Sequence, residues 1–425
     1  MATWRVDIPA HPGDLARFVD LRPAWTRAEI EATVRDLLDQ HADRLPGRAD
    51  SIFIKPNLNN DLIALTGNST DLRVLGAVLG ALRDLGYPRV VVGDGPNVGV
   101  ERRRIDVFRR LRVDRLCARF GVEVVDLNRD AGRPVPLANG APRLAVRALD
   151  ADFYLSLPKV KTHAEAVLSS ACKNQVGLCV AQDKREVHRD LFANIPHLVA
   201  ARSPDLVLVD AVVGMGGNGP GDGEPVALGH LILASDAWTS DLAVCRAVGL
   251  DWEAVPYLAI ANRESRFPPS LPEALAGVPR IAALPVAPPR SRLARAADDP
   301  RLFWLKRLVR PLVSRPLVAE VARRLHVIQD VYRLDDDGIT GVHRSRTACG
   351  ACTVCADVCP TGLTVAEIGV KTDPEACIAC GYCHWACPDD VIALVGPPNA
   401  LGPQLDRHRD RVRQLRRPTS PSRPQ

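Results

Sequence analysis

The sequence predicts an α/β body, a largely parallel or mixed sheet flanked by helices, followed by a small cysteine-rich α+β module. Three observations carry this. Short apolar runs at Ser51 to Ile54, Val90 to Val92 and Val122 to Leu127 alternate with stretches of helical period. Most of these runs break into glycine, proline or polar residues, as strands entering loops do. Near the C-terminal end, cysteines recur at short fixed spacings between Cys349 and Cys387.

At 425 residues the chain is longer than one ordinary core, so two domains with connectors are expected. The body is assigned to residues 1–260, with its most regular part at 50–250. A proline-rich and helical connector follows at 261–345, then the cysteine module at 346–395 and a basic tail, expected to be disordered, at 396–425.

Taking the elements in order, Thr26 and Glu29 form a capping box ahead of an apolar stripe of Ile30, Val34, Leu37 and Leu38. The strand at Ser51 to Ile54 ends in Lys55-Pro56-Asn57. A helix from Asp71 turns Leu72, Leu75, Val78, Leu79, Leu82 and Leu85 inward and stops at Gly86. Val90 to Val92 breaks into Gly93-Asp94-Gly95-Pro96, and one helix is expected over Ile105 to Phe120. Asp152 to Leu157 runs into Pro158-Lys159-Val160-Lys161-Thr162-His163. Leu206 to Val209 ends at Asp210, Leu231 to Leu233 is a further strand, and a helix spans Ala237 to Val248 before Gly249. Residues 262–300 read as a wrapping connector, and Arg301 to Ile328 as helix interrupted at Pro311 and Pro316.

The module reads C-x2-C-x2-C-x3-C-P twice: Cys349, Cys352, Cys355, Cys359, Pro360, then Cys377, Cys380, Cys383, Cys387, Pro388. In such runs three cysteines grip one iron–sulfur cube and the fourth crosses to the other. Two [4Fe–4S] clusters are therefore expected, one on Cys349, Cys352, Cys355 and Cys387, the second on Cys377, Cys380, Cys383 and Cys359. Structural zinc takes two cysteine pairs separated by a longer gap and has no use for the repeated proline. Disulfides would require an oxidising compartment, and residues 1–14 show no signal peptide.

Hydrophobic residues at 46% and charged residues at 25% are ordinary for a soluble protein, and no apolar run approaches the ~20 residues of a membrane span. A cytoplasmic location without integral membrane association is expected. The net charge of +5 owes much to tail arginines that lack an aromatic platform, so nucleic acid is not an expected partner. Arg301 to Arg310 is read as packing on the body rather than on a membrane surface.

Outside the cysteines, polar residues gather at strand ends, where open α/β sheets bind ligands. Candidate substrate-binding residues are Lys55, Asn57, Asp94, Lys173, Asn174 and Asp210; candidate catalytic residues are Lys159, Lys161 and His163. In extended backbone the two lysines stand ~7 Å apart on one side and repel by roughly 2 kcal/mol at an effective dielectric of 20. A bound anion or a nearby carboxylate would offset this. His163 and His188 are candidate proton donors. Gly214-Met215-Gly216-Gly217-Asn218-Gly219 matches a dinucleotide fingerprint, but the prolines and glycines after it leave no room for the required helix. It is read as a flexible loop at the pocket rim. Cys172 and Cys179 are read as buried structural thiols rather than a redox pair.

With these residues in view, the body resembles the family called domain of unknown function 362. The resemblance rests on Lys55-Pro56-Asn57, Gly93-Asp94-Gly95-Pro96, Pro158 to His163, Lys173-Asn174 with Gly177, Gly219-Pro220, and Asp236 with Asp241 before Gly249, over residues 50–250. It implies an architecture and no settled reaction, and members with a C-terminal two-cluster ferredoxin module are similar to this chain end to end. Three functions follow. The first is an oxidoreductase or redox subunit that exchanges electrons with a partner protein and holds an anionic substrate or cofactor at the strand ends. The others are a non-catalytic electron carrier and a non-redox enzyme with structural clusters.

Overall fold

The computed structural model describes residues 3–9, 16–163, 165–286, 333–345 and 351–418. Its main sheet has ten strands in the order β1 (Trp4–Ile8), β2 (Arg17–Pro23), β12 (Asp222–Ala234), β11 (Leu206–Asn218), β8 (Phe153–Leu157), β3 (Ile52–Pro56), β4 (Val90–Asp94) and β5 (Glu123–Asp126). The remaining two, β9 (Lys159–His163) and β10 (Val167–Ser169), extend it where β9 pairs with β11. A separate hairpin joins β6 (Gly132–Pro134) to β7 (Arg143–Ala145).

The centre from β11 through β8, β3 and β4 to β5 is parallel, while β1, β2 and β12 add antiparallel pairing at one side. From β3 the chain moves outward through β4 and β5, then returns to β8 on the other flank of β3. The switch point of the sheet therefore lies between β3 and β8, and a crevice is expected at their carboxyl ends. Those ends carry Lys55-Pro56-Asn57 and Pro158-Lys159.

The helix Arg27–Gln40 has the capping box from Thr26 and Glu29 and buries the four stripe residues. The helix Leu72–Asp84, capped by Asp71, is buried on almost every side. One apolar cluster explains this, because it joins Val74, Leu75 and Leu79 to Ile378, Tyr382 and Trp385 of the cysteine module. The module, with β13 (Gly341–Arg344) antiparallel to β14 (Ile392–Val395), thus shares a core with the body.

Several expectations are corrected. The helix expected over 105–120 is two short pieces, Val107–Arg110 and Val113–Ala118, parted by Arg112 in left-handed backbone at φ 62°. The break aims the Arg112 guanidinium at the carbonyls of Ala379 (3.2 Å) and Ile339 (3.4 Å) in the module. Gly214 to Asn218 is not a loop but the far half of β11, paired residue by residue with Asp222 to Val226. Its glycines permit close packing: a Cβ on Gly67, which lies at φ +82°, would stand 2.0 Å from the Gly214 carbonyl oxygen. Strands β1 and β2 were not foreseen. The tail expected to be disordered contains the helix Gly402–Gln414, which buries Gln404, His408 and Val412. Spacings of four residues give that arginine-rich segment one buried face, enough to dock without a hydrophobic composition. The connector's first part packs Phe267, Leu271, Leu275 and Leu284 on the body, whereas Arg301 to Ile328 lies outside the described residues.

Candidate functional site

Two sites emerge, one at the switch point and one in the module. At the first, β3 delivers Lys55 and β4 delivers Asp94, whose carboxylate accepts from Lys55 Nζ at 2.6 Å. Lys55 also donates to Asn174 Oδ1 at 2.9 Å, and Asn57 Nδ2 reaches the same oxygen at 3.1 Å. Asn57 Oδ1 in turn accepts from Lys161 Nζ at 2.8 Å, and the Asn68 carbonyl accepts a second bond at 2.9 Å. Lys159 pairs with Asp210 at 2.9 Å. The strand-end residues Lys55, Asn57, Asp94, Lys161 and Asn174 form one network, with the Lys159–Asp210 pair alongside. All three lysines are buried, at 0%, 0% and 1% exposure.

The repulsion expected between Lys159 and Lys161 is met on the Lys159 side by the Asp210 carboxylate. Lys161 differs from its neighbours. Its hydrogen bonds go to neutral oxygens, and burial, with Lys173, Lys159 and Lys55 nearby, drives its pKa well below the ordinary lysine value. Burial also lowers Lys55, with Asp94 opposing the shift. Lys173, half-buried beside this group, is pulled down to about 8 by burial. Gly177 must be glycine, since a Cβ there would sit 2.5 Å from Asp94 Oδ1 and 2.7 Å from Lys55 Nζ.

His163 stands apart from the lysines in its bonding. Its Nδ1 accepts from the backbone N–H groups of Glu165 (3.1 Å) and Ala166 (3.2 Å), tying the turn between β9 and β10. His188 Nδ1 meets the Lys184 carbonyl oxygen at 2.8 Å, and burial lowers its pKa. Cys172 and Cys179 are buried free thiols, Cys172 donating to the Ala237 carbonyl at 3.4 Å. Asp241 accepts from the N–H groups of Ala171 and Cys172 and from the Tyr257 hydroxyl, so it anchors the segment that presents Lys173 and Asn174.

Sequence reasoning missed Asp71 and Arg73, having read Asp71 only as a helix start. The Asp71 carboxylate takes a bidentate bond from Arg73 at 3.0 and 2.7 Å, while its backbone N–H donates to Asp210 Oδ2 at 2.7 Å. Arg73 continues to the Asp357 carbonyl of the module at 3.4 Å. An Asp-x-Arg at a helix N-terminus was the available signal, but nothing local says that Asp210 lies beside it.

In the module, Cys359, Cys377, Cys380 and Cys383 line a single cleft whose other walls include Val342, Leu363, Ile368 and Tyr382. Burial pushes the Cys380 thiol up, and Cys359, Cys383 and Cys377 add to the shift. The four sulfurs come from both runs, with the fourth cysteine of the first run standing among three of the second. Such a donor set within apolar walls fits an iron–sulfur cube, which thiolates hold. Among the described residues no three His, Cys, Asp or Glu side chains are gathered so as to hold a metal ion. Cys355 and Cys387 are buried in the apolar cluster behind this cleft and Cys352 is half-buried, while Cys349 lies outside the described residues. Tyr382, between two of the cleft cysteines, sets its hydroxyl 3.5 Å from the Leu72 N–H, at the start of the helix capped by Asp71.

Residues 52–246 match the family model described as Domain of unknown function (DUF362). Over those residues the body is similar to the DUF362 family. Residues 370–393 match the 4Fe-4S binding domain, so the DUF362 body is joined to a module with the capacity to hold an iron–sulfur cluster. A thylakoid-associated protein of Synechocystis sp. is 27% identical over 249 residues, covering 53% of this chain and 74% of that protein. Among solved structures, the lactate racemase apoprotein from Thermoanaerobacterium thermosaccharolyticum aligns at a TM-score of 0.33 and 14% identity. That alignment covers 58% of this chain and 62% of the racemase, less than two thirds of its length. At that score the likeness carries no argument. The switch-point network lies wholly within the DUF362 match. No helix among the described residues is long and apolar enough to cross a membrane.

Proposed function

We propose that this protein is an iron–sulfur oxidoreductase or redox subunit with two [4Fe–4S] clusters. One is held by Cys349, Cys352, Cys355 and Cys387, the other by Cys377, Cys380, Cys383 and Cys359. When bound, such clusters accept and donate single electrons. The substrate or cofactor is an anionic small molecule received at the switch point, where Lys159, Lys161 and Lys173 supply positive charge, Lys55, Asn57, Asp94, Asn174 and Asp210 hold them in place, and His163 serves as proton donor at the edge. The electron donor or acceptor is a second protein, and the setting is cytoplasmic.

The observation that carries this reading is the short connection between the two sites. Tyr382 of the cysteine cleft touches the first turn of the Leu72–Asp84 helix, and Asp71 at that turn bonds Asp210, the partner of Lys159. A module that merely accompanied the body would have no need of a shared core and a polar link to its strand ends. The test is anaerobic purification with iron and sulfide counts, expected at about eight of each per chain, together with analysis of co-purified small molecules. Colourless protein without iron would overturn the proposal. A Lys161→Met variant that keeps its clusters and loses turnover supports catalysis at the switch point.

A second reading, the electron carrier, is favoured by one observation: Lys55 and Lys159 are already neutralised by Asp94 and Asp210 and sealed from solvent. If Lys161→Met and Lys159→Met leave electron exchange with every partner protein unchanged, the carrier reading replaces the first.

A further inference from the structure

A cavity of about 240 Å³ lies where the body, the module and the C-terminal helix meet. It shares no residue with the cysteine cleft. Its lining is mostly apolar. Leu65 and Val213 come from the body, Val358 from the module and Val412 and Leu415 from the C-terminal helix and its end, with Trp25 adding an aromatic wall.

The charged part of this lining is four arginines and one acid, Asp357. Arg413, Arg416 and Arg417 border the cavity, and Arg73 lies at its inner side. Arg417 pairs with Glu29 at 2.7 Å and Arg413 with Asp390 at 2.6 Å. Arg416 is exposed, bonds the backbone carbonyls of Leu415 and Arg413, and has no carboxylate in ion-pair reach among the described residues. Arg413 keeps its Nε buried without a hydrogen-bond partner among the described residues. A buried donor left unpaired costs free energy comparable to a lost hydrogen bond, so an acceptor entering here is stabilised. The cavity also touches the cysteine loops: Val354, Ala386 and Pro388 line it, and they flank Cys355 and Cys387 in the chain.

We propose that this junction is a binding site for a small aromatic anion, a flat apolar body bearing one carboxylate- or sulfonate-like group. The ring system lies against Trp25, Val213 and Val358, and the acid group meets Arg413 and Arg416. Apolar walls with a few placed charges are the usual make-up of a small-molecule site. Guanidinium is the group best suited to grip an oxyanion beside an aromatic surface.

The probe is 8-anilinonaphthalene-1-sulfonate, titrated into full-length, cluster-loaded protein under anaerobic conditions and followed by its fluorescence. Saturable binding at one site per chain is expected. Val213→Trp, which fills the cavity, is expected to weaken it at least tenfold, and Arg416→Glu at least threefold. N-phenyl-1-naphthylamine, a closely similar aromatic without the acid, should bind at least tenfold more weakly. Leu415→Trp fills the cavity from the C-terminal side and replaces Val213→Trp if that variant does not fold, as judged by circular dichroism and the visible absorbance. Absence of saturable binding, or binding unchanged in a folded cavity-filling variant, overturns the proposal. None of these readouts depends on turnover at the switch point.

Discussion

The switch-point lysines and the cleft cysteines are both clusters of ionisable side chains brought together by long-range packing, yet they are completed differently. Among the lysines the protein supplies its own partners: the Asp94 carboxylate for Lys55, the Asp210 carboxylate for Lys159, and the neutral oxygens of Asn57 and Asn68 for Lys161. The four cysteines line one cleft with apolar walls. Burial raises the cost of ionising Cys377 and Cys380, and neighbouring thiols add to it. One region is electrostatically closed by the chain itself; the donor set of the other is suited to a metal cluster. A polar cluster in a sheet crevice is therefore read by its partners, not by its charge alone.

The largest effect expected from breaking this contrast falls on the module. Cys380→Ser removes a cleft thiol and, through the shared core with Tyr382 and Trp385, loosens the face of the Leu72–Asp84 helix. Iron content should fall by about half in a two-cluster protein, with a lowered thermal midpoint. Unchanged iron and visible absorbance would remove Cys380 from the ligand set.

The next effect concerns a pair the body completes for itself. Asp210→Ala leaves Lys159 buried without its carboxylate and frees the Asp71 N–H, at an expected cost of ~3–5 kcal/mol in urea unfolding. Adding Lys159→Met to Asp210→Ala should recover much of that loss, because the stranded charge is gone. Additive losses in the double variant would mean that the pair is not coupled.

Gln404→Ala tests the docking of the C-terminal helix. Its side chain donates to the Asp61 carbonyl at 2.8 Å and accepts from the Ile63 N–H at 3.2 Å. The loss expected is ~1–3 kcal/mol, most of it from the two unpaired backbone groups. Unchanged stability would show that water replaces both bonds.

The smallest net effect is expected at Lys161. Its folded-state pKa is depressed, so between that value and the ordinary 10.5 the unfolded chain holds more protons than the folded one. Stability then rises with pH across that window, and the lysine is a burden below it. Lys161→Met should match or exceed wild-type stability at neutral pH, and its advantage should shrink as pH rises toward 10.5. Chemical denaturation at several pH values measures this, and an advantage that grows with pH would contradict the depressed value. Lys173 and Lys184, both held near 8, add to the same slope in the wild type between pH 8 and 10.5.

Much of the fold was legible because its determinants are local. The capping boundaries at Thr26, Asp71 and Gly249 need only a few neighbouring residues, and each helix begins or ends there. The convergence of Lys55, Asn57, Asp94 and Lys161 followed from strand order alone. The Gly214 to Asn218 error had a physical cause: glycine-rich sequence has no intrinsic strand preference, and only pairing with Asp222 to Val226 makes it extended. The arginine-rich tail misled in the same way, since its docking depends on a groove formed by residues hundreds of positions earlier. Asp71 and Arg73 remained invisible because an ion pair between near neighbours looks like surface decoration until a second domain covers it.

What the sequence determined unaided was the chemistry on offer: two evenly spaced sets of thiols, a train of lysines at strand ends, and an alternation of period that permits a parallel sheet. Side-chain identity and short-range spacing are enough for that. Tertiary structure alone decided which carboxylate answers which lysine, and that module and body share one core. Those outcomes depend on contacts between residues tens to hundreds of positions apart, such as Asp71 with Asp210 and Leu72 with Tyr382. Their free energy comes from excluding water around both partners together, and no local stretch of chain encodes it.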